Sequence, residues 1–131
     1  MSGTTREWAA PDVLLVDSIT QLEPGDAGLV AVSGSHGGVS SAQYALAVPL
    51  RLTVFNDAGI GKDDAGVAAL DLLQAAGRAA VTVAHHSARI GDARDHWAHG
   101  VISRVNAAAA ALGFAPGQGL NAAVLRLLLR P

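Results

Sequence analysis

Apolar residues along this chain gather in short continuous runs separated by glycine, proline and acidic residues. The runs lie within Asp12–Val16 ("DVLLV"), Gly28–Ser33 ("GLVAVS"), Leu50–Phe55 ("LRLTVF") and Ala79–Ala84 ("AAVTVA"). Short runs rich in valine and bounded by turn residues predict strands buried on both faces. A helical pattern follows each of the last three. The first, "VSSAQYALAV", stops before Pro49. The second is capped by Asp63 or Asp64, runs to about Ala76 and closes at Gly77. The third starts at the N-cap Asp92, reaches Leu112 and closes at Gly113; Trp97, Val101, Val105, Ala108 and Leu112 form one apolar stripe along it. A last helix covers Leu120–Leu129.

Strand and helix in alternation predict the α/β class. The expected fold is a small three-layer αβα domain with a mainly parallel sheet of about four strands. Residues 1–11 read as a polar N-terminal tail and 12–131 as a single α/β domain, with the direction of the first strand left open.

Composition narrows the function. Half of the 131 residues are apolar, enough for one core, and aromatics are only 4%, so the core is aliphatic. The absence of cysteine removes disulfides, thiolate nucleophiles and cysteine-based zinc sites. Net charge is −2 with no basic block, which argues against nucleic acid. No run approaches the ~18 apolar residues of a membrane span and the first residues lack a signal-peptide pattern, so the expectation is a cytoplasmic protein with no membrane partner. Eight arginines accompany a single lysine, Lys62, which sits in a glycine-rich loop.

Candidate chemistry is unevenly placed. The helix-to-strand connections "VPL" and "AGRA" are terse. The strand-to-helix loops are long and carry Ser33, Ser35 and His36, then Asn56, Asp57, Lys62 and Asp63, then His85, His86, Ser87, Arg89 and Asp92. Ligands of open parallel sheets bind at the carboxyl ends of strands, where strand order reverses. In "SGSHGGVSS", Gly34, Gly37 and Gly38 would let backbone approach a ligand, with positive φ at Gly37 or Gly38. Free amides of the following helix would favour an anion there. The Walker, GxGxxG and G-x-S-x-G patterns all fail to match. Asp92 with His96 and Asp95 with His99 fit surface ion pairs at i, i+4 spacing, and no metal is assigned.

These observations lead to an expected small soluble enzyme that acts on a polar, anionic small molecule by general acid–base chemistry, as a hydrolase, lyase or isomerase without a cofactor. His36 is the candidate acid or base, with Asp57 as its partner or a second base; Lys62 and His85 complete the catalytic set. Lys62 would bind substrate charge or, with a lowered pKa, form a Schiff base. Ser33, Gly34, Ser35, Gly37, Gly38, Asn56, His86, Ser87 and Arg89 are the expected substrate contacts, with one of His85 and His86 facing the site. A non-catalytic module that senses an anionic metabolite and a structural assembly subunit are the alternatives. Leu120, Val124, Leu125, Leu127, Leu128 and Leu129 spread around the last helix, which predicts a homo-oligomer through that helix.

Overall fold

In the computed structural model the described residues are 5–129. They form one sheet of six strands, in spatial order β1-β2-β3-β4-β5-β6: β1 (Arg6–Ala10), β2 (Val13–Val16), β3 (Val30–His36), β4 (Leu52–Asn56), β5 (Ala80–Val83) and β6 (Ile102–Val105). Strands β2 to β5 are mutually parallel, while β1 and β6 pair antiparallel at the two edges. The helices are α1 (Val39–Leu46), α2 (Ala68–Ala75), α3 (Ala93–His99), α4 (Ala107–Ala111) and α5 (Leu120–Leu128). The α/β class therefore holds. The sheet is mixed and six-stranded, where a mainly parallel sheet of about four was expected.

Both additional strands arise in segments read otherwise. Arg6–Ala10 lies inside the expected polar tail. An edge strand is held by main-chain bonds and needs no apolar run, and Trp8 at its centre stays exposed. Arg6 fixes its start through 2.9 Å bonds to both carboxylate oxygens of Asp26 and one to Glu23. At the other edge, the expected helix Asp92–Leu112 is divided into α3, β6 and α4. Gly100 ends α3 at a point where a Cβ would lie 2.5 Å from the His96 carbonyl oxygen. The β-branched "VISRV" that follows suits a strand better than a helix. Trp97, Val105, Ala108 and Leu112 still pack on one core, from three separate elements, while Val101 faces outward.

Side chains alternate across the sheet as strand geometry requires. One face carries Val13, Leu15, Val30, Val32, Leu52, Val54, Val81 and Val83, covered by Ala93 of α3, Ala109 of α4 and Leu120, Val124 and Leu127 of α5. On the other, Phe55 and Ala80 meet Ile19, Ala42 and Ala45 of the α1 side and Leu70 and Leu73 of α2. Gly77 (φ 73°) closes α2 as expected, with the Arg78 amide donating to the Leu73 carbonyl at 2.9 Å. Asp92 caps α3 by accepting from the Asp95 amide. Asp63 and Asp64 do not cap α2. They lie in left-handed backbone inside a 3-10 segment, Lys62–Val67, and α2 starts at Ala68. Among the described residues, no helix is long and apolar enough to cross a membrane.

Candidate functional site

Strand order never reverses, so no crevice opens between diverging crossovers of the kind the sequence reading invoked. The carboxyl edge is instead crossed by the chain itself. After β5 the loop runs back over its neighbours in turn: Ala88 accepts from the Asn56 amide at the end of β4, Gly91 donates to Gly34 in β3, and Ala93 donates to Asp17 after β2. The three loops emerge at one edge because β3, β4 and β5 are parallel.

This crossing explains the glycines. A Cβ on Gly34 would lie 2.6 Å from the Asp17 carbonyl and 2.7 Å from Gly91. One on Gly37 would meet the Gly66 carbonyl at 2.5 Å, and one on Gly66 the Asp57 carbonyl at 2.0 Å. These residues admit backbone against backbone. The positive φ expected at Gly37 or Gly38 is absent; Gly38 has φ −86° and serves as the N-cap of α1.

Several expected substrate contacts are occupied in holding the fold. Ser33 is fully buried and donates to the Val54 carbonyl at 2.7 Å. Asn56 is fully buried, with its amide nitrogen 3.0 Å from the Ala88 carbonyl and 3.2 Å from His96 Nε2, and its oxygen accepting from the Ala58 amide. Ser87 donates to the Ala84 carbonyl and accepts from the Val101 amide. Ser35 accepts from the Ile19 amide at 2.9 Å but still reaches the surface.

The histidines separate into distinct environments. His36 ends β3 in register with Asn56, and its Nδ1 accepts from the Gly38 amide at 3.0 Å. That bond consumes the Nδ1 lone pair, so the neutral ring carries its proton on Nε2. Asp57 does not pair with His36. Its Oδ1 lies 3.5 Å from His85 Nδ1 and accepts from the amides of Gly59 (2.8 Å) and His85 (3.0 Å). Burial alone would raise the Asp57 carboxyl, which is only 4% exposed. Hydrogen bonds from Gly59, Ser103 and His85 outweigh it and hold the carboxyl below its ordinary range. His85 therefore has a carboxylate 3.5 Å from Nδ1, with more than half of its side chain open to solvent, and His86 packs edge-on against it.

His96, expected to pair with the Asp92 side chain at the surface, is fully buried. Its Nδ1 faces the Asp92 carbonyl at 2.6 Å and its Nε2 the Asn56 amide, and burial pushes its pKa below the ordinary value. The expected Asp95–His99 pair is present at 2.8 Å. Among the described residues no cluster of histidine and carboxylate could hold a metal ion.

Three depressions converge on His36. One of about 490 Å³ is walled by Val39, Ala58, Ile60, Gly61 and Ala65; one of about 170 Å³ by Ser18, Thr20, Ser35, Ser40, Ser41 and Tyr44; one of about 350 Å³ by Asp17, Ser18, Gly34, Ile90 and Gly91. Asp57 and His85 line none of them. The turn after Asp57 lies between: Gly59 packs beside the His85 ring, while Ala58 and Ile60 wall the His36 side. This turn is strained, with left-handed φ at Ala58 (52°) and at the β-branched Ile60 (68°). Lys62 is exposed and Arg89 lines a separate depression with Arg94 and His99, so neither borders the His36 cavities. Ser41, Tyr44 and Ile60 were not singled out from sequence. A serine or tyrosine in a helix and an isoleucine in a loop carry no local signal of a cavity wall.

Fold and site define an α/β protein with His36, Asp57 and His85 at the carboxyl edge of its parallel strands. Compared with protein-family models, curated proteins and solved structures, the chain matches none.

Proposed function

We propose that the protein is a small enzyme acting on a polar, anionic small molecule by general acid–base chemistry. One observation carries this reading: the buried, ionised Asp57 faces Nδ1 of an exposed histidine, His85. A carboxylate on that side of the ring favours the Nδ1–H form, which leaves the Nε2 lone pair as a base. His36 presents the opposite group, an Nε2–H donor suited to an oxygen that gains negative charge. A substrate that meets both lies over the Gly59–Gly61 turn, with Lys62 at its end to attract negative charge. Hydrolysis, elimination and isomerisation all need only such a base and donor. The same reading takes the chain as cytoplasmic, independent of cofactors and self-associating through α5, whose Leu125 and Leu129 remain exposed.

A second reading, a module that binds an anionic metabolite without turning it over, is favoured by the separation of the His36 cavities from Asp57 and His85. Nitrogen-detected NMR of the imidazoles, combined with a turnover screen over carboxylate and phosphate esters and hydroxy acids, decides between them. The enzyme reading expects His85 as the Nδ1–H tautomer, His36 as Nε2–H, and turnover that disappears in His85→Asn. Turnover that survives in both His85→Asn and Asp57→Asn rejects it. Saturable binding without turnover leaves the module.

A further inference from the structure

We infer that the small cleft between the first turn of α1 and the 3-10 turn Ile19–Gln21 is an oxyanion subsite for the carboxylate or phosphate group of the ligand. It deepens the reading above and rests on it for the ligand being anionic. The observation that carries it is Ser41. This serine is 96% buried, taking its 4% exposure from the whole, yet its hydroxyl has no hydrogen-bond partner among the described residues. Among the described residues no side-chain oxygen sealed from solvent lacks a partner, so the Ser41 oxygen reaches open space, and Ser41 lines a cavity of about 170 Å³. A buried hydroxyl left open to a cavity calls for an occupant able to accept its proton.

The surrounding groups share that polarity. Ser35 accepts from the Ile19 amide, so its own hydrogen is directed elsewhere. His36, at the mouth, donates through Nε2, because Nδ1 accepts from Gly38. The N-cap of α1 is a glycine with no side chain to satisfy the first amides of this eight-residue helix. Ser40 and Tyr44 add hydroxyls, and no carboxylate lines the cleft. A cleft lined by hydroxyls and a ring N–H, all able to donate and with no carboxylate among the lining residues, suits a group that only accepts. Its volume of about 170 Å³, roughly six waters at ~30 Å³ each, suits a single head group.

The full chain titrated with inorganic phosphate and, separately, with acetate at constant ionic strength tests this by amide NMR. Saturable shifts at Ser35, His36, Ser40 and Ser41 are expected with at least one anion, and the anion that gives them names the phosphate or carboxylate class. Ser41→Ala should weaken that binding about tenfold, the loss expected for one hydrogen bond to a charged group. His36→Phe at the exposed mouth should weaken it similarly, and it keeps the test valid if Ser41→Ala fails to fold. Shifts confined to Arg89 and Arg94, no saturation with either anion, or unchanged affinity in the folded variants overturns the subsite. Turnover that depends on His85 while these shifts are absent would leave the catalytic reading standing and remove only the subsite.

Discussion

His36 and His85 stand at the same edge of one sheet, two strands apart, and meet different partners at Nδ1. At His36 a main-chain amide donates to Nδ1, so the outer nitrogen bears hydrogen. At His85 the Asp57 carboxylate lies 3.5 Å from Nδ1, and in the proposed reading the outer nitrogen then carries the lone pair. The difference lies in the partners, Gly38 and Asp57, and in the chain geometry that delivers them. Residue type placed both histidines among the candidates; partner geometry is what distinguishes the donor and base roles proposed for them.

The largest test of that contrast is kinetic. His85→Asn and Asp57→Asn should each lower turnover about 10²- to 10⁴-fold, the usual value of a positioned base. His36→Gln, which keeps a hydrogen-bond donor, should cost about tenfold or less, the scale of one altered hydrogen bond. Steady-state rates showing His36→Gln as damaging as His85→Asn would reverse the assignment.

Next come the glycines. Gly34→Ala and Gly66→Ala drive a Cβ into main-chain atoms that cannot swing aside, and should destabilise by about 3 kcal/mol or more. Gly25→Ala, with nothing within 4 Å, should stay within ~0.5 kcal/mol in the same urea titration. Gly38→Ala sharpens the comparison, because its Cβ would crowd the His36 ring at 2.7 Å while meeting main chain no closer than 3.5 Å. The fold should persist while the His36 imidazole signals move and those of His85 do not.

Smaller effects should appear in stability against pH. Burial lowers the folded pKa of His96, so its contribution is complete above 6.5 and is lost as pH falls from there through the folded value. The folded pKa of Asp57 is also lowered, so its contribution is complete above 3.8 and is lost as pH falls through its folded value. Denaturation at a series of pH values should show the first loss vanish in His96→Gln and the second in Asp57→Asn. Persistence of the loss below pH 6.5 in His96→Gln would place its origin elsewhere. The smallest effect belongs to α5: Leu125→Lys with Leu129→Lys should change monomer stability by less than ~0.5 kcal/mol. If α5 mediates self-association, sedimentation should show the pair dissociating the oligomer, and unchanged sedimentation removes α5 as the interface.

Much of the fold was legible because local patterns carried it. The valine-rich runs became β2 to β5, buried on both faces, and Asp92 and Gly77 marked the helix ends expected of them. The edge strands were hidden for a physical reason. A strand at an edge is fixed by its neighbour's main chain, so "REWAA" carries no alternation to read, and the four-residue spacing through "WAHGVISRV" suits both one helix and three elements on a common core. The same limit applies to α5, whose apolar breadth is largely spent against the sheet through Leu120, Ala123, Val124 and Leu127.

By itself the sequence determined the strand-forming runs, the α/β class and the loops in which titratable residues concentrate, since these follow from residue type and spacing. Tertiary structure alone decided that Gly34, Gly37 and Gly66 admit close backbone, that Ser33 and Asn56 are struts, and that Asp57 lies beside His85 and not His36. It also buried His96 and left Ser41 beside a cavity with no hydrogen-bond partner among the described residues. Each of these depends on atoms brought together from distant parts of the chain. Burial and hydrogen-bond geometry are properties of that meeting, and no window of neighbouring residues contains them.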